Sequence, residues 1–393
     1  MEYPLQGLRV LDFSRVLAGP FAGRMLSDLG ADVVKVEPPE GDVTRFWGRE
    51  IAGLSGYFNQ QNAGKRNICI DLRADGAVDL VKQLVASADI VIENFRPDVM
   101  GRLGIDYETL SAVNPRLIML SISGFGHNGP ESRRATYAPV VHAEVGLIHR
   151  NHRRYGGDYR DLPLSIADTN ASLHGLIGIL SSVIMRERTG QGQHIDIAMI
   201  DATLATDDQI HYDLETSGIS APLNNEIWEL PFGPVLISQD FRLLFRLLVQ
   251  EEYIEDTSTD DMTLEEKIAC RRAIVNDFMA TMTTRDMFVD MMKRINTAWG
   301  EVRNPAQITD QDTVAHRGSI TQVDNRDGGT RPVTQSPYRF SNATSGVRGG
   351  SSHRGEHNVA VLEDWLGVTG DDADAFRDSG VMLYDPDWHH KTR

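Results

Sequence analysis

In PLSIADTNASLHGLIGIL (163–180) a single carboxylate, Asp168, precedes an apolar run with helical spacing. Two kinds of chemistry fit an acid at that position. It can cap the helix, because an Asp at a helix start accepts a hydrogen bond from an orphan backbone N–H. The reciprocal partner of a capping box is missing, since Ala171 stands where Glu or Gln would be. It can instead act as a nucleophile. A carboxylate is ionised at neutral pH without a base or a metal. It can attack an activated acyl group to give a mixed anhydride, which a thiolate then opens to an aspartyl thioester. That chemistry needs an oxyanion stabiliser, and backbone N–H groups in a tight turn supply one. The local sequence leaves both readings open.

The other chemistry-bearing residues are more scattered. His149 and His152 lie in HRNHRRYGG (149–157) among Arg150, Arg153 and Arg154. Further ligands are missing, so no metal site is expected, and the stretch reads as a solvated basic loop. His127 follows a strand end and reads as loop, and His389–His390 belong to a polar tail. No G-x-S-x-G and no Cys/His arrangement is present, which disfavours a serine or thiol hydrolase. Arg73, Arg96 and Arg102 follow predicted strands or open helices, and as a set they suit phosphate groups. Tyr137 begins YAPVVHAEVGLI, whose simplest role is packing.

The elements that must position these residues alternate. LRVLDFS (8–14), DVVKVE (32–37), NICIDL (67–72), DIVIENF (89–95), RLIMLSISGFG (116–126) and HIDIAM (194–199) read as strands. Between them PFAGRMLSDLG (20–30), DGAVDLVKQLVASA (75–88) and PDVMGRLGID with YETLSAVN read as helices, as does the run after Asp168. In that run Leu173, Leu176, Ile177, Leu180 and Ile184 share one helix face, and Gly190 ends it. Repeated βα units predict a parallel, doubly wound sheet. Ligands then bind outside the carboxyl ends of the strands, near Ser14–Val16, Glu37–Pro38, Asn94–Arg96 and Ser123–Gly124. Neither GxGxxG nor GxxxxGK(S/T) follows a strand, so the dinucleotide and P-loop readings lack their phosphate loops. After about residue 215 the texture changes. Residues 236–295 are expected to hold short strands, FRLLFRLLV among them, and acidic helices, forming a smaller second domain. The polar stretch 316–358 reads as a long return connection, and 358–368 as a last helix.

Composition bounds the partners. The chain has 393 residues and a net charge of −17, which argues against nucleic acid and against an anionic membrane surface. Two cysteines, Cys69 and Cys270, are too few for a disulfide framework. The N-terminus shows no signal-peptide pattern, and no apolar run approaches a membrane span. A cytoplasmic protein is expected.

Several segments, taken in order, resemble family III CoA-transferases, the group of formyl-CoA transferase and carnitine CoA-transferase. They are PLQGLRVLDFSRVLAGPFAGRMLSDLGADVVKVEPPEGDVTR, NAGKRNICIDL, ADIVIENFRPDVMGRLGIDYETL, NPRLIMLSISGFG, ADTNASLHGLIGIL, RTGQGQHIDIAMIDA and GEHN. The resemblance is close over 1–215 and loose over 330–368. It implies that Asp168 is the catalytic aspartate, moving CoA from an acyl-CoA donor to a carboxylic acid through a mixed anhydride and an aspartyl-CoA thioester. CoA is then a substrate, and no cofactor is tightly bound. The implied fold is α/β: a Rossmann-like, doubly wound parallel sheet domain built from both ends of the chain, plus a smaller α+β domain. Two subunits interlock as a homodimer, with the active site between the large domain of one and the small domain of the other. The implied boundaries are 1–205 and 351–393 for the large domain, 236–315 for the small one, and linkers at 206–235 and 316–350.

The same resemblance places CoA contacts at Val16, Ala18, Ile70, Arg73, Asn94, Phe95 and Arg102, and an acyl-group contact at Tyr137. Pro38, Leu17, Ala135 and Ala138 depart from formyl-CoA transferase, where polar or charged residues stand. These departures point away from formate and oxalate, toward a roomier and less polar acyl site. The small domain reads as shortened, without a Gly-rich active-site loop. Two alternatives remain. A 2-methylacyl-CoA racemase shares the fold but needs a histidine where Thr136 or Tyr137 stands, and His142 lies more than a turn further on. A non-catalytic scaffold subunit of a heteromeric transferase belongs to another class, and Asp168 counts against it.

Overall fold

The computed structural model describes residues 2–215 and 225–385. The chain forms two compact units, one from the residues up to Asp207 together with those from Ala315 onward, the other from Asp208–Val314.

The first unit is built on six parallel strands: β1 (Arg9–Asp12), β2 (Asp32–Glu37), β3 (Arg66–Cys69), β4 (Ile90–Glu93), β5 (Ile118–Ser123) and β6 (Gln193–Ala198). Their spatial order is β3-β2-β1-β4-β5-β6, all pairs parallel. The order reverses between β1 and β4, and such a switch point opens a crevice at the strand ends. Successive strand residues face opposite sides. Val10, Ile90 and Ile118 therefore enter one apolar cluster, and Leu11, Val91 and Met119 the other. A sheet buried on both faces reads as short apolar runs, which is why these strands were legible.

Its helices include α1 (Ala18–Asp28), α2 (Gly56–Asn62), α3 (Ala77–Ala86), α4 (Ala138–Glu144), α5 (Leu147–Tyr155), α6 (Ile166–Thr189) and α7 (Met199–Ala205), with short ones at Val99–Arg102 and Tyr107–Val113. In α3, Ala77, Leu80, Val81, Leu84 and Val85 are buried at the spacing of one helix face. Helix α6 ends at Gly190, whose φ of 74° suits a residue without a side chain. The stripe expected on α6 is divided: Leu176 is buried while Leu173, Ile177 and Ile184 are exposed. The chain's C-terminal part returns to this unit, where Trp365 donates to Asp32 at 2.9 Å.

The second unit has an antiparallel sheet of β7 (Asn225–Leu230), β8 (Gly233–Ser238) and β9 (Trp299–Glu301), in the order β9-β8-β7. Helices α8 (Phe241–Gln250), α9 (Leu264–Ala280) and α10 (Arg285–Arg294) enclose its own apolar core. Toward its C-terminus the first unit also holds helix α11 (Asn358–Leu366).

Four expectations change. FRLLFRLLV is helix α8, because Leu244, Phe245 and Leu248 bury one helical face and Asp240 caps it through the Arg242 and Leu243 N–H groups. The basic stretch 147–155 is helix α5 rather than loop. The stretch 206–235 holds β7 and the start of β8. The polar stretch 316–350 holds a hairpin, Ile320–Asp324 with Thr330–Thr334. His389 and His390 lie outside the described residues. Among the described residues no helix is long and apolar enough to cross a membrane.

Candidate active site at the switch point

Beyond the carboxyl ends of β1, β4 and β5 lies a cavity of about 600 Å³. Val16, Ala18, Asn94, Phe95, Tyr137 and Asp168, all singled out from sequence, line it. Ile70, Arg73 and Arg102 do not line it. Ile70 is fully buried in the core, where it bridges to Met382. Arg73 is ion-paired with Asp71 at 2.8 Å and with Glu40 at 3.3 Å. Arg102 lies 3.8 Å from Asp98 of its own short helix. Three other arginines line the cavity instead: Arg134, which pairs with Glu131 and Glu144, and the strand-end pair Arg15 and Arg96. Arg15 lies over the Phe95 ring, 5.5 Å from its centroid. Both follow a strand directly, so the strand-end rule was the signal for them.

Asp168 does not cap its helix. The N-cap is Ser165, and Asp168 lies two residues into the first turn. The backbone N–H groups of Ala18, Ala138 and Asp168 itself act on its carboxylate and favour the charged form. Ala18 and Ala138 are the first residues of α1 and α4. Three helix N-termini thus converge on one carboxylate, and each brings orphan N–H groups and partial positive charge. No helical spacing encodes such a convergence. Burial acts the other way and wins: it pushes the Asp168 carboxyl up to about 6, against the Ala18 N–H, the nearby His142 ring, and the Asp168 and Ala138 N–H groups. At neutral pH the group is mostly ionised, yet only 8% exposed. Such a carboxylate is poorly hydrated and gains by leaving its charged state.

The β1–α1 loop is strained. Val16 adopts a φ of 68°, a left-handed conformation costly for a β-branched residue, by roughly 1–3 kcal/mol. The surroundings enforce it. Asn94 clamps the preceding peptide, accepting the Arg15 N–H at 2.7 Å and donating to the Arg15 carbonyl at 2.8 Å. The Val16 N–H donates to Asp42 at 3.2 Å. Asp42 is fully buried and paired with Lys35 at 3.2 Å. Burial raises Asp42, but Lys35, the Thr44 backbone and hydroxyl, and Val16 outweigh it and hold the carboxyl below its usual value. Next to this pair, Lys65 meets Asp12 at 2.7 Å. Gly19 allows α1 to start here, since a Cβ at that position would lie 2.1 Å from the Ser14 Cβ.

His142, on α4, is fully buried and absent from the cavity wall. Its Nδ1 lies 2.8 Å from Asp161 and its Nε2 accepts the Ala167 N–H at 3.2 Å. An Nε2 that accepts leaves the proton on Nδ1, donated to Asp161. Sequence spacing gave no hint of this contact, which needs α4 and α6 to pack. The ring fixes the residue before Asp168 and has no lone pair left for a substrate.

The family model for CoA-transferase family III matches residues 5–358. The chain is 32% identical to the succinate–glutarate CoA-transferase of Agrobacterium fabrum, over 92% of this chain and 95% of that one. It is also 32% identical to the succinyl-CoA–D-citramalate CoA-transferase of Chloroflexus aurantiacus, over 94% and 96%. A solved CAIB/BAIF family protein from Brucella suis superposes with a TM-score of 0.79 and 32% identity, covering 93% of this chain and all of that one. The protein therefore belongs to CoA-transferase family III and is a CoA-transferase, an enzyme whose substrates are CoA thioesters.

Proposed function

We propose that the protein moves CoA from an acyl-CoA to a carboxylic acid by covalent catalysis at Asp168. The observation that carries the reading is the buried, mostly ionised Asp168 carboxylate on the cavity wall, held by N–H groups from converging helix starts. An oxygen of Asp168 attacks the thioester carbonyl carbon; the C–S bond breaks and CoA leaves as thiolate. The thiolate then attacks the Asp168 acyl carbon of the anhydride and expels the donor carboxylate, leaving aspartyl-CoA. The acceptor carboxylate attacks that thioester, and the steps run in reverse to give the new acyl-CoA. The Ala18 and Ala138 N–H groups that act on the carboxylate then stabilise the oxyanion of each addition. Val16, Ala18, Asn94 and Phe95 form the CoA side of the cavity, with Arg15 and Arg96 for its phosphates, and Tyr137 stands at the acyl end.

The acyl group is larger than formate or oxalate. Ala135, Ile122 and Met199 give the cavity an apolar wall in the company of Asp168, and the two relatives above are named for succinyl, glutarate and citramalate groups. Racemisation is disfavoured because both nitrogens of His142 are engaged away from the cavity. A scaffold role is disfavoured by the complete Asp168 setting. Exposed Leu173, Ile177 and Ile184 on α6 support cover by a second copy, as an interlocked homodimer requires. The unpaired Cys69 and Cys270 accord with a reducing, cytoplasmic location.

Incubation with succinyl-CoA, trapping with hydroxylamine or borohydride, and peptide mass spectrometry will mark the peptide holding Asp168. An unmodified peptide under turnover overturns covalent catalysis, and deuterium exchange at the acyl α-carbon without acceptor would restore the racemase.

A further inference from the structure

Behind the Asn94–Phe95 turn lies a group of titratable side chains that the transfer steps do not use. Glu93 ends β4 and is 1% exposed. Its Oε2 accepts the Phe95 N–H at 2.8 Å, and the Ser121 side chain on β5 acts on it and favours its charged form. Ser121 Oγ lies in turn 2.8 Å from His194 Nε2 on β6, and His194 is exposed. One hydroxyl and one imidazole thus stand between a buried carboxyl and solvent.

The groups facing it come from three directions. Glu93 Oε1 and His127 Nε2 both lack a hydrogen-bond partner, and they lie 3.7 Å apart. His127, in the loop after β5, is anchored through its N–H to Asp196 at 3.0 Å. Its ring lies 5.4 Å from that of His194. Tyr107 stacks on His194 at 5.3 Å, and Glu108 also acts on that imidazole. Burial pushes the Glu93 carboxyl up to about 7; Asp196 adds to this, while Ser121 and the Phe95 N–H oppose it.

We propose that Glu93 is a positioning residue whose protonation is coupled to CoA-thioester binding, its proton arriving from solvent through His194 and Ser121. The proposal rests on the reading that CoA occupies this cavity. Glu93 holds the turn whose next residues, Asn94 and Phe95, line the cavity, and Asn94 holds Arg15 in place. A CoA thioester brings several negative charges to that turn. A second negative charge directly behind it is disfavoured by Coulomb repulsion, so the bound state favours neutral Glu93. Oε1, which no other donor occupies, takes the proton on the side of His127 Nε2. By linkage, affinity falls as pH rises and Glu93 ionises.

Isothermal titration of CoA in buffers of different ionisation enthalpy, from pH 6 to 8.5, tests this with wild type, Glu93→Gln and Ser121→Ala. CoA's own phosphate titrates equally in all three. The wild type takes up an extra fraction of a proton near pH 7, and its affinity falls about three- to tenfold more across the range than that of Glu93→Gln. Ser121→Ala removes a hydroxyl that favours the charged form, so its uptake moves to higher pH. The same proton count in wild type and Glu93→Gln overturns the coupling. So does weakening by Ser121→Ala that is equal at every pH, which decides the matter if Glu93→Gln does not fold. A wild type that binds no CoA, or undiminished binding by Asn94→Ala, sinks the site assignment instead.

Discussion

Replacing Asp168 by Asn should abolish transfer and at the same time stabilise the protein at neutral pH. The folded carboxyl titrates at about 6 against a reference of 3.8. A raised acid ionises at a cost in the folded state. The cost is absent below the reference value, grows as pH rises between the two, and is complete above the folded value. From those two values it amounts to about 2 kcal/mol at pH 5 and about 3 kcal/mol at pH 7.5. Asn carries no charge, but its NH₂ faces backbone N–H donors, which costs about 1–2 kcal/mol at any pH. The variant should therefore match wild type near pH 5 and exceed it by about 1–2 kcal/mol at pH 7.5. The slope of the difference, about 1 kcal/mol between these pH values, does not depend on the amide's constant penalty. Urea denaturation of the full chain, wild type beside variant at several pH values, measures it. A difference that stays flat, or a variant that loses ground as pH rises, refutes the idea that a costly buried charge is stored at Asp168. In the same variant transfer should fall by at least about 10³-fold, because the nucleophile is gone.

Other substitutions separate the parts of the site. His142→Gln keeps an acceptor and a donor on one side chain and should hold most activity, whereas His142→Leu leaves the Ala167 N–H unpaired and should lower kcat about 10–100-fold with little change in KM; equal kcat in both would remove His142 from the positioning of Asp168. Asn94→Ala frees the Arg15 peptide from both of its bonds and should raise KM for acyl-CoA about 5–100-fold. Arg96→Ala should weaken CoA binding and flatten its dependence on salt, while Arg102→Ala, which lies off the cavity, should change affinity less than about threefold; the reverse ranking would return the phosphates to Arg102. Ile177→Glu should dissociate the assembly in sedimentation runs, and an unchanged mass would leave the α6 face without the proposed cover.

What the chain declares on its own is set by local rules. Strands buried on both faces are short apolar runs, helices carry a repeating apolar face, and both periods are read directly from β1 to β5, α1 and α3. The strand-end rule then leads to Val16, Asn94 and Phe95, and order of segments leads to the family and to Asp168. Where local rules compete, reading fails: FRLLFRLLV suits a strand by composition, and Asp240 together with packing against the second core makes it a helix. Ile70 and Arg73 follow the same rule as Asn94, yet one turns into the core and the other into ion pairs with Asp71 and Glu40. Tertiary structure alone decides whether Asp168 caps its helix or faces the cavity. Its sequence neighbours permit either, and only the meeting of Ala18, Ala138 and its own helix start, from three points up to 150 residues apart, gives a buried carboxylate that stays charged.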